Sequence, residues 1–214
     1  IIMAICVQYG CGFQAPTGWL NFDASPTLRF ERLPLIGQIY TKNSTRFPPA
    51  VQYGNIVKGL PLSPNSVDKL YASHVLEHLT YEEALLALAN SHTLLKPGGV
   101  FRLIVPDLHA RASRYLTSSN KADAANKFQD STLLGHRTRA RGFFAAIIAA
   151  YGNSHHLWMW DEPSLTDALR RTGFNNIRRY SFGDRYDSDF CRVEQYDRFV
   201  SGDIVELAIE CSKP

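Results

Sequence analysis

The chain has 214 residues, of which 45% are hydrophobic and 20% charged, and a formal net charge of +3. This length suits one domain with a sizeable core. The composition excludes a low-complexity or disulfide-dense chain. The basic residues are scattered, which argues against the patch a nucleic-acid binder needs. The cysteines Cys6, Cys11, Cys191 and Cys211 form no CxxC pair and no regular spacing. Reduced thiols in a cytoplasmic protein are therefore expected. No apolar stretch is long enough for a membrane helix, and the opening apolar run lacks the features of a signal peptide.

Residues 3–9 are apolar and end in glycines, as a buried strand stopped by a tight turn does. Residues 19–23 are a second strand candidate. Ser25 and Pro26 then fit the cap and first position of a helical turn. Residues 42–49 read as a loop and 50–57 as a third strand. Residues 67–73 read as a fourth strand. Thr80 caps a helix over 81–94, with Glu82 and Glu83 placed to favour its dipole. The run Lys96-Pro97-Gly98-Gly99 stops it, and 100–105 is the clearest strand in the chain. Asp107 caps a helix reaching residue 116. Residues 118–151 break the rhythm and read as a helical insertion over a cleft. A helix over 164–171 ends at Gly173. Strands follow at 176–182 and 204–211, separated by an acidic and aromatic loop at 186–196. Strands alternating with helices imply one α/β domain spanning 1–214, a doubly wound, mostly parallel sheet with helices on both faces.

Such sheets bind ligands at the carboxyl ends of their strands. Those ends carry Gly10-Cys11-Gly12, then Asp23, then Asn55, then Ser73 and His74, then Asp107. Glycines let a cofactor lie against a turning backbone, although a lone GxG is also simply a turn. Asp23 can take ribose hydroxyls or cap the turn at Ser25. The Asn55 amide can serve an adenine as donor and acceptor, or act as a polar turn residue.

Residues 55–79, with Ser73-His74-Val75-Leu76-Glu77-His78 at their end, resemble the core of class I S-adenosylmethionine-dependent methyltransferases of the type 11 group. Leu94-Leu95-Lys96-Pro97-Gly98-Gly99 is similar to that family's helix end and turn, and 165–174 to its late helix. The resemblance implies a Rossmann-like fold, S-adenosyl-L-methionine as cofactor and a small-molecule acceptor. It implies that Gly10, Cys11 and Gly12 pass under the methionine part. Asp23 would hold the ribose, Asn55 and Ile56 the adenine, and Ser73 and His74 would lie near the sulfonium. Two departures stand out. Gln8 and Tyr9 replace the acid that usually precedes the glycine turn. Residues 13–18 are also too short for a crossover helix, so a loop must replace it.

His74 is the best catalytic candidate, because an imidazole can take a proton from an acceptor near neutral pH. His155, His156 and Trp158 belong to an aromatic run that fits a substrate-pocket wall for a flat or apolar acceptor, or core packing. As a bare pattern, His74-Val75-Leu76-Glu77-His78 is that of an inverted zinc protease. A strand directly before His74 removes the long helix that motif needs. Glu77 and His78 are expected to cap and pack the helix starting near Thr80, with no metal. Two other readings remain. One is a catalytically inactive or divergent ligand-binding relative. The other is a metal-dependent enzyme using His74, Glu77, His78 and His156.

Overall fold

The computed structural model describes residues 4–34, 45–135, 155–184 and 187–214. Alternation along the strands builds the sheet. In β1 (Cys6–Tyr9), β4 (Val67–Ser73) and β5 (Leu95–Val105), Val7, Tyr9, Leu70, Ala72, Phe101 and Leu103 enter one core cluster. Their neighbours Cys6, Tyr71 and Ile104 enter a second cluster on the other face, as the period of two requires. β2 (Trp19–Asp23) and β3 (Val51–Tyr53) extend the sheet at one end. β6 (Asn175–Arg179) and β9 (Leu207–Ser212) extend it at the other. The order is β3-β2-β1-β4-β5-β9-β6. β1 to β5 pair in parallel and β9 runs antiparallel to both neighbours. The doubly wound, mostly parallel sheet expected from the sequence is present.

The first face is covered by α2 (Tyr81–Leu94) and α5 (Glu162–Thr172), whose Ala84, Leu88, Leu165 and Leu169 complete the main core. Thr80 and Glu83 form a reciprocal capping box at the start of α2, which satisfies two orphan amides of the first turn. The second cluster is closed by the late segment, through Tyr180, Phe190, Val193 and Phe199. This segment includes the short helix α6 (Tyr196–Phe199). Buried Arg102 lies among these residues. It pairs with Glu194 at 2.9 Å and Glu210 at 2.8 Å, between the rings of Tyr180 and Phe190.

Several boundaries differ from the sequence reading. The third strand stops at Tyr53 because the Asn55 side chain accepts the Val57 N–H and starts a 3-10 turn. The Lys96–Gly99 run does not separate helix from strand. β5 begins at Leu95, opposite Val67, and the ladder shifts register before Lys69 pairs with Val100. The last expected strand is two, with β8 (Ile204–Val205) pairing β7 (Val200–Ser201) before β9 begins. α1 (Pro26–Glu31) and α3 (Leu108–Thr117) start at Ser25 and Asp107, as their caps require. The proposed insertion contains α4 (Lys121–Thr132), and its residues 136–151 lie outside those described. So do the first residue of the expected first strand, residues 42–44 of the expected loop, and Tyr186.

β1 and β2 pair in parallel with only residues 10–18 between them and no helix there. Polar side chains hold this connection instead. Gln8 donates to the Gln14 carbonyl and to Asn21 Oδ1, Gln14 donates to the Val193 carbonyl, and Arg192 donates to the Thr17 carbonyl.

Candidate functional site

The carboxyl ends of β1, β2 and β4 open onto a cleft of about 670 Å³ that includes Gly10, Asp23, Asn55, Ile56, His74 and His78. Gly10 has φ +64°, and a Cβ there would lie 2.3 Å from Val75 Cγ2. The turn can therefore approach the end of β4 only as glycine. Gly12 donates its N–H to Asp23 Oδ2 at 2.9 Å, while Ser25 N–H donates to Oδ1 at 2.7 Å. Asp23 is 9% exposed, and each oxygen keeps capacity for a further donor. Asn55 uses its oxygen as the cap of the 3-10 turn, which leaves its NH₂ group for a ligand. Asn90 fixes this turn by donating to the carbonyls of Ile56 and Val57.

Other expected cofactor residues stand elsewhere. The Cys11 side chain packs with Leu28, Phe47 and Val51. Burial, with the nearby Asp23 charge, pushes its thiol up to about 12. Gly12 acts through its bond to Asp23. Ser73 lines a small neighbouring cavity with Gln8 and Tyr71. Tyr9, Pro26, Gly54, Glu83 and Leu157 also line the cleft, although the sequence reading gave none of them a part in binding. Only their position at or just after the ends of β1, β2 and β3 could have marked the first three.

His74 directly follows β4 with φ +54°, an uncommon conformation for a non-glycine residue. Its Nδ1 lies 3.2 Å from Glu77 Oε1 and its Nε2 lies 3.0 Å from the Arg198 carbonyl. Burial works to lower its pKa. The Glu77 carboxylate and the Arg198 carbonyl outweigh it, and the pKa is raised. His74 also borders a second pocket of about 420 Å³, together with Arg111, Asp130, His156, Arg198 and Glu206. Arg111 grips both oxygens of Glu206 at 2.7 Å. The lining is charged, whereas the aromatic run had suggested a flat or apolar acceptor.

The 155–160 segment is stitched onto the turn after β4. The Glu77 carbonyl accepts from Leu157 N–H and Trp158 N–H, and the His155 carbonyl faces His78 Nδ1 at 3.1 Å. Of the expected acceptor residues, His156 reaches the second pocket. His155 contributes its backbone carbonyl, and Trp158 lies against Tyr81 with ring centroids 4.9 Å apart.

Residues 7–103 match the family described as "Methyltransferase domain". The match covers a little under half of the chain and supports a class I methyltransferase of the type 11 group. No curated protein matches the sequence. Among solved structures, a SAM-dependent methyltransferase from Archaeoglobus fulgidus superposes with a TM-score of 0.51 at 14% identity, covering 99% of this chain and 87% of that one. A chain from the complex between the Haloferax volcanii Trm112 methyltransferase activator and the putative methyltransferase gives 0.50 at 14%, covering 99% and 83%. Phosphoethanolamine N-methyltransferase 2 of Haemonchus contortus, solved with phosphomonomethylethanolamine and S-adenosylhomocysteine, gives 0.50 at 14%, covering 99% and 49%. At these identities the likeness shows the fold. The matched segment ends within β5, so the second pocket draws much of its lining from residues beyond the match. No helix among the described residues is long and apolar enough to cross a membrane.

Proposed function

We propose that this chain is a cytoplasmic S-adenosylmethionine-dependent methyltransferase acting on a small polar acceptor. The observation that carries this reading is His74, which borders both the cleft at the strand ends and the second pocket. A donor in one cavity and an acceptor in the other would meet at this residue. The cleft residues fit the cofactor: its volume lies in the range of ordinary ligand sites, and Asp23 offers buried carboxylate capacity where ribose hydroxyls can donate. Bound there, S-adenosylmethionine supplies an activated methyl group that an acceptor atom takes by direct in-line displacement.

The chain's own residues then have separate tasks. Gly10 leaves the floor flat, Asp23 takes the ribose hydroxyls, and Asn55 and Ile56 take the adenine. Arg111, Arg198 and Asp130 orient a polar acceptor by charge. Once the acceptor displaces the Arg198 carbonyl, the neutral His74 ring with its own proton on Nδ1, toward Glu77, takes the acceptor's proton at Nε2. Positioning supplies most of the rate, since holding two reactants in line removes much of the entropic barrier. The cytoplasmic placement rests on four free cysteines, as reducing compartments maintain.

Calorimetry with S-adenosylmethionine and S-adenosylhomocysteine tests the reading, and absence of binding by both would sink it. Asp23→Asn is expected to weaken S-adenosylhomocysteine binding about 10- to 100-fold, because a hydrogen bond to a charged group contributes about 1.5–3 kcal/mol. Unchanged affinity in that variant would remove Asp23 from the ribose site. His74→Gln is expected to lower kcat by about 10²–10⁴, the usual contribution of a positioned base, with cofactor affinity little altered. An unchanged kcat would confine His74 to positioning.

A further inference from the structure

We propose that Glu77, His78 and His156 form a divalent transition-metal site in the wall between the cofactor cleft and the second pocket. Their ligand atoms lie within 4.8 Å of one another. His78 lines the first cavity and His156 the second. The Glu77 side chain is 0% exposed. Its Oε2 has no hydrogen-bond partner, and neither has the buried Nδ1 of His156. Buried polar atoms without partners are rare, and each calls for an explanation.

The surroundings fix which atoms face the gap. His78 Nδ1 faces the His155 carbonyl, which can only accept, so the proton sits on Nδ1. Nε2 of the neutral ring then presents a lone pair, 3.9 Å from Glu77 Oε1. The His156 Nδ1 is buried and has no hydrogen-bond partner, so it can offer its lone pair. Three electron-pair donors thus converge with no hydrogen donor among them. The His74 ring approaches only Oε1, which leaves Oε2 without a partner. A cation satisfies all three donors at once.

Two imidazoles and one carboxylate are a ligand set for zinc or a neighbouring transition ion and suit magnesium poorly. A tetrahedral ion at about 2.1 Å from each donor sets them roughly 3.4 Å apart, so the trio closes modestly on loading. Carbonyls holding the outer nitrogens of ligating histidines are the usual supporting arrangement. A fourth position stays open at the boundary of the pockets. On the methyl-transfer reading proposed above, it takes an oxygen or nitrogen of the acceptor, which narrows the substrate class to metal-ligating acceptors. The metal site itself does not depend on that reading.

The test uses the tag-free, chelator-treated 214-residue chain. Calorimetry with Zn²⁺ alone should give one equivalent bound, Mg²⁺ should give none, and Co²⁺ should give the visible absorption of a tetrahedral nitrogen and oxygen site. His78→Ala and His156→Ala should each abolish the Co²⁺ spectrum, with circular dichroism checking that they remain folded. Exposed His109→Ala should leave it intact. Failure of the parent protein to bind Zn²⁺ or Co²⁺ stoichiometrically would overturn the proposal, as would an unchanged Co²⁺ spectrum in both histidine variants. S-Adenosylhomocysteine binding is measured in parallel. Cofactor binding without metal binding overturns only the metal site. Metal binding without cofactor binding supports the metal site and overturns the methyl-transfer reading.

Discussion

Gly10→Ala is expected to weaken S-adenosylhomocysteine binding at least about tenfold, or about 1.4 kcal/mol, and to destabilise the fold. Two costs combine at this position. An L-residue at φ +64° is strained by about 1–2 kcal/mol. The added Cβ also meets Val75 Cγ2 at 2.3 Å, and overpacking of this kind costs about 1–3 kcal/mol. Val75 immediately precedes the 3-10 turn Leu76–His78, so the disturbance reaches both cavities. Gly12→Ala separates the two costs. Gly12 has φ +55° but open space where its Cβ would stand, so only backbone strain applies and the Asp23 hydrogen bond survives. Calorimetry and thermal unfolding of both variants decide the matter. Equal losses at the two glycines would show that the Val75 contact is unimportant. Recovery in Gly10→Ala/Val75→Ala would show that it dominates.

Arg102→Leu is expected to cost about 3–5 kcal/mol in urea unfolding at neutral pH, the usual result of stranding one partner of a buried ion pair. Glu194 and Arg102 each have side chains only 3% exposed. Burial already raises the Glu194 pKa, and the Arg102 charge restrains that rise. Removing Arg102 raises it further. A carboxyl whose folded pKa exceeds its unfolded value is favoured while protonated, and that advantage is lost as pH rises through the folded pKa. The deficit of Arg102→Leu should therefore be smaller at pH 5 than at pH 8. The double variant Arg102→Leu/Glu194→Leu should recover most of the loss, because two apolar residues replace the pair without an orphan charge. A deficit independent of pH, and not relieved by the second substitution, would mean that lost packing over Tyr180 and Phe190 governs.

What could be read from the sequence depended on how local its cause was. Ser25, Thr80 with Glu83, and Asp107 act within one helical turn, and each caps the helix expected of it. The alternation that placed Val7, Leu70 and Phe101 on one face is likewise local. Lys96-Pro97-Gly98-Gly99 has the residues of a turn, yet it falls inside β5 as a bulge, because Leu95 before it pairs with Val67 of β4 and Val100 after it pairs with Lys69. That pairing lies far away in sequence. The cleft was legible because strand ends converge in this topology, which brought Gly10, Asp23, Asn55 and His74 together. The second pocket was not, since Arg111, Arg198 and Glu206 meet from distant segments at no fixed spacing. Glu77 looked like a residue at a helix start. Its burial arises because 155–160 docks over it, a contact that no local pattern contains.

The helix-free connection between β1 and β2 also bears on how the molecule folds. Cys6 pairs with Trp19, an unusually small separation for neighbouring parallel strands. The entropy of closing a loop grows with its length, and pairings with low contact order form sooner. The β1–β2 pair, with Asp23 at its end, should acquire amide protection before β9 inserts between β5 and β6. Pulse-labelled hydrogen exchange during refolding would time the two events. The floor of the cleft would then be an early product of folding, assembled before the late segment closes over the opposite face of the sheet.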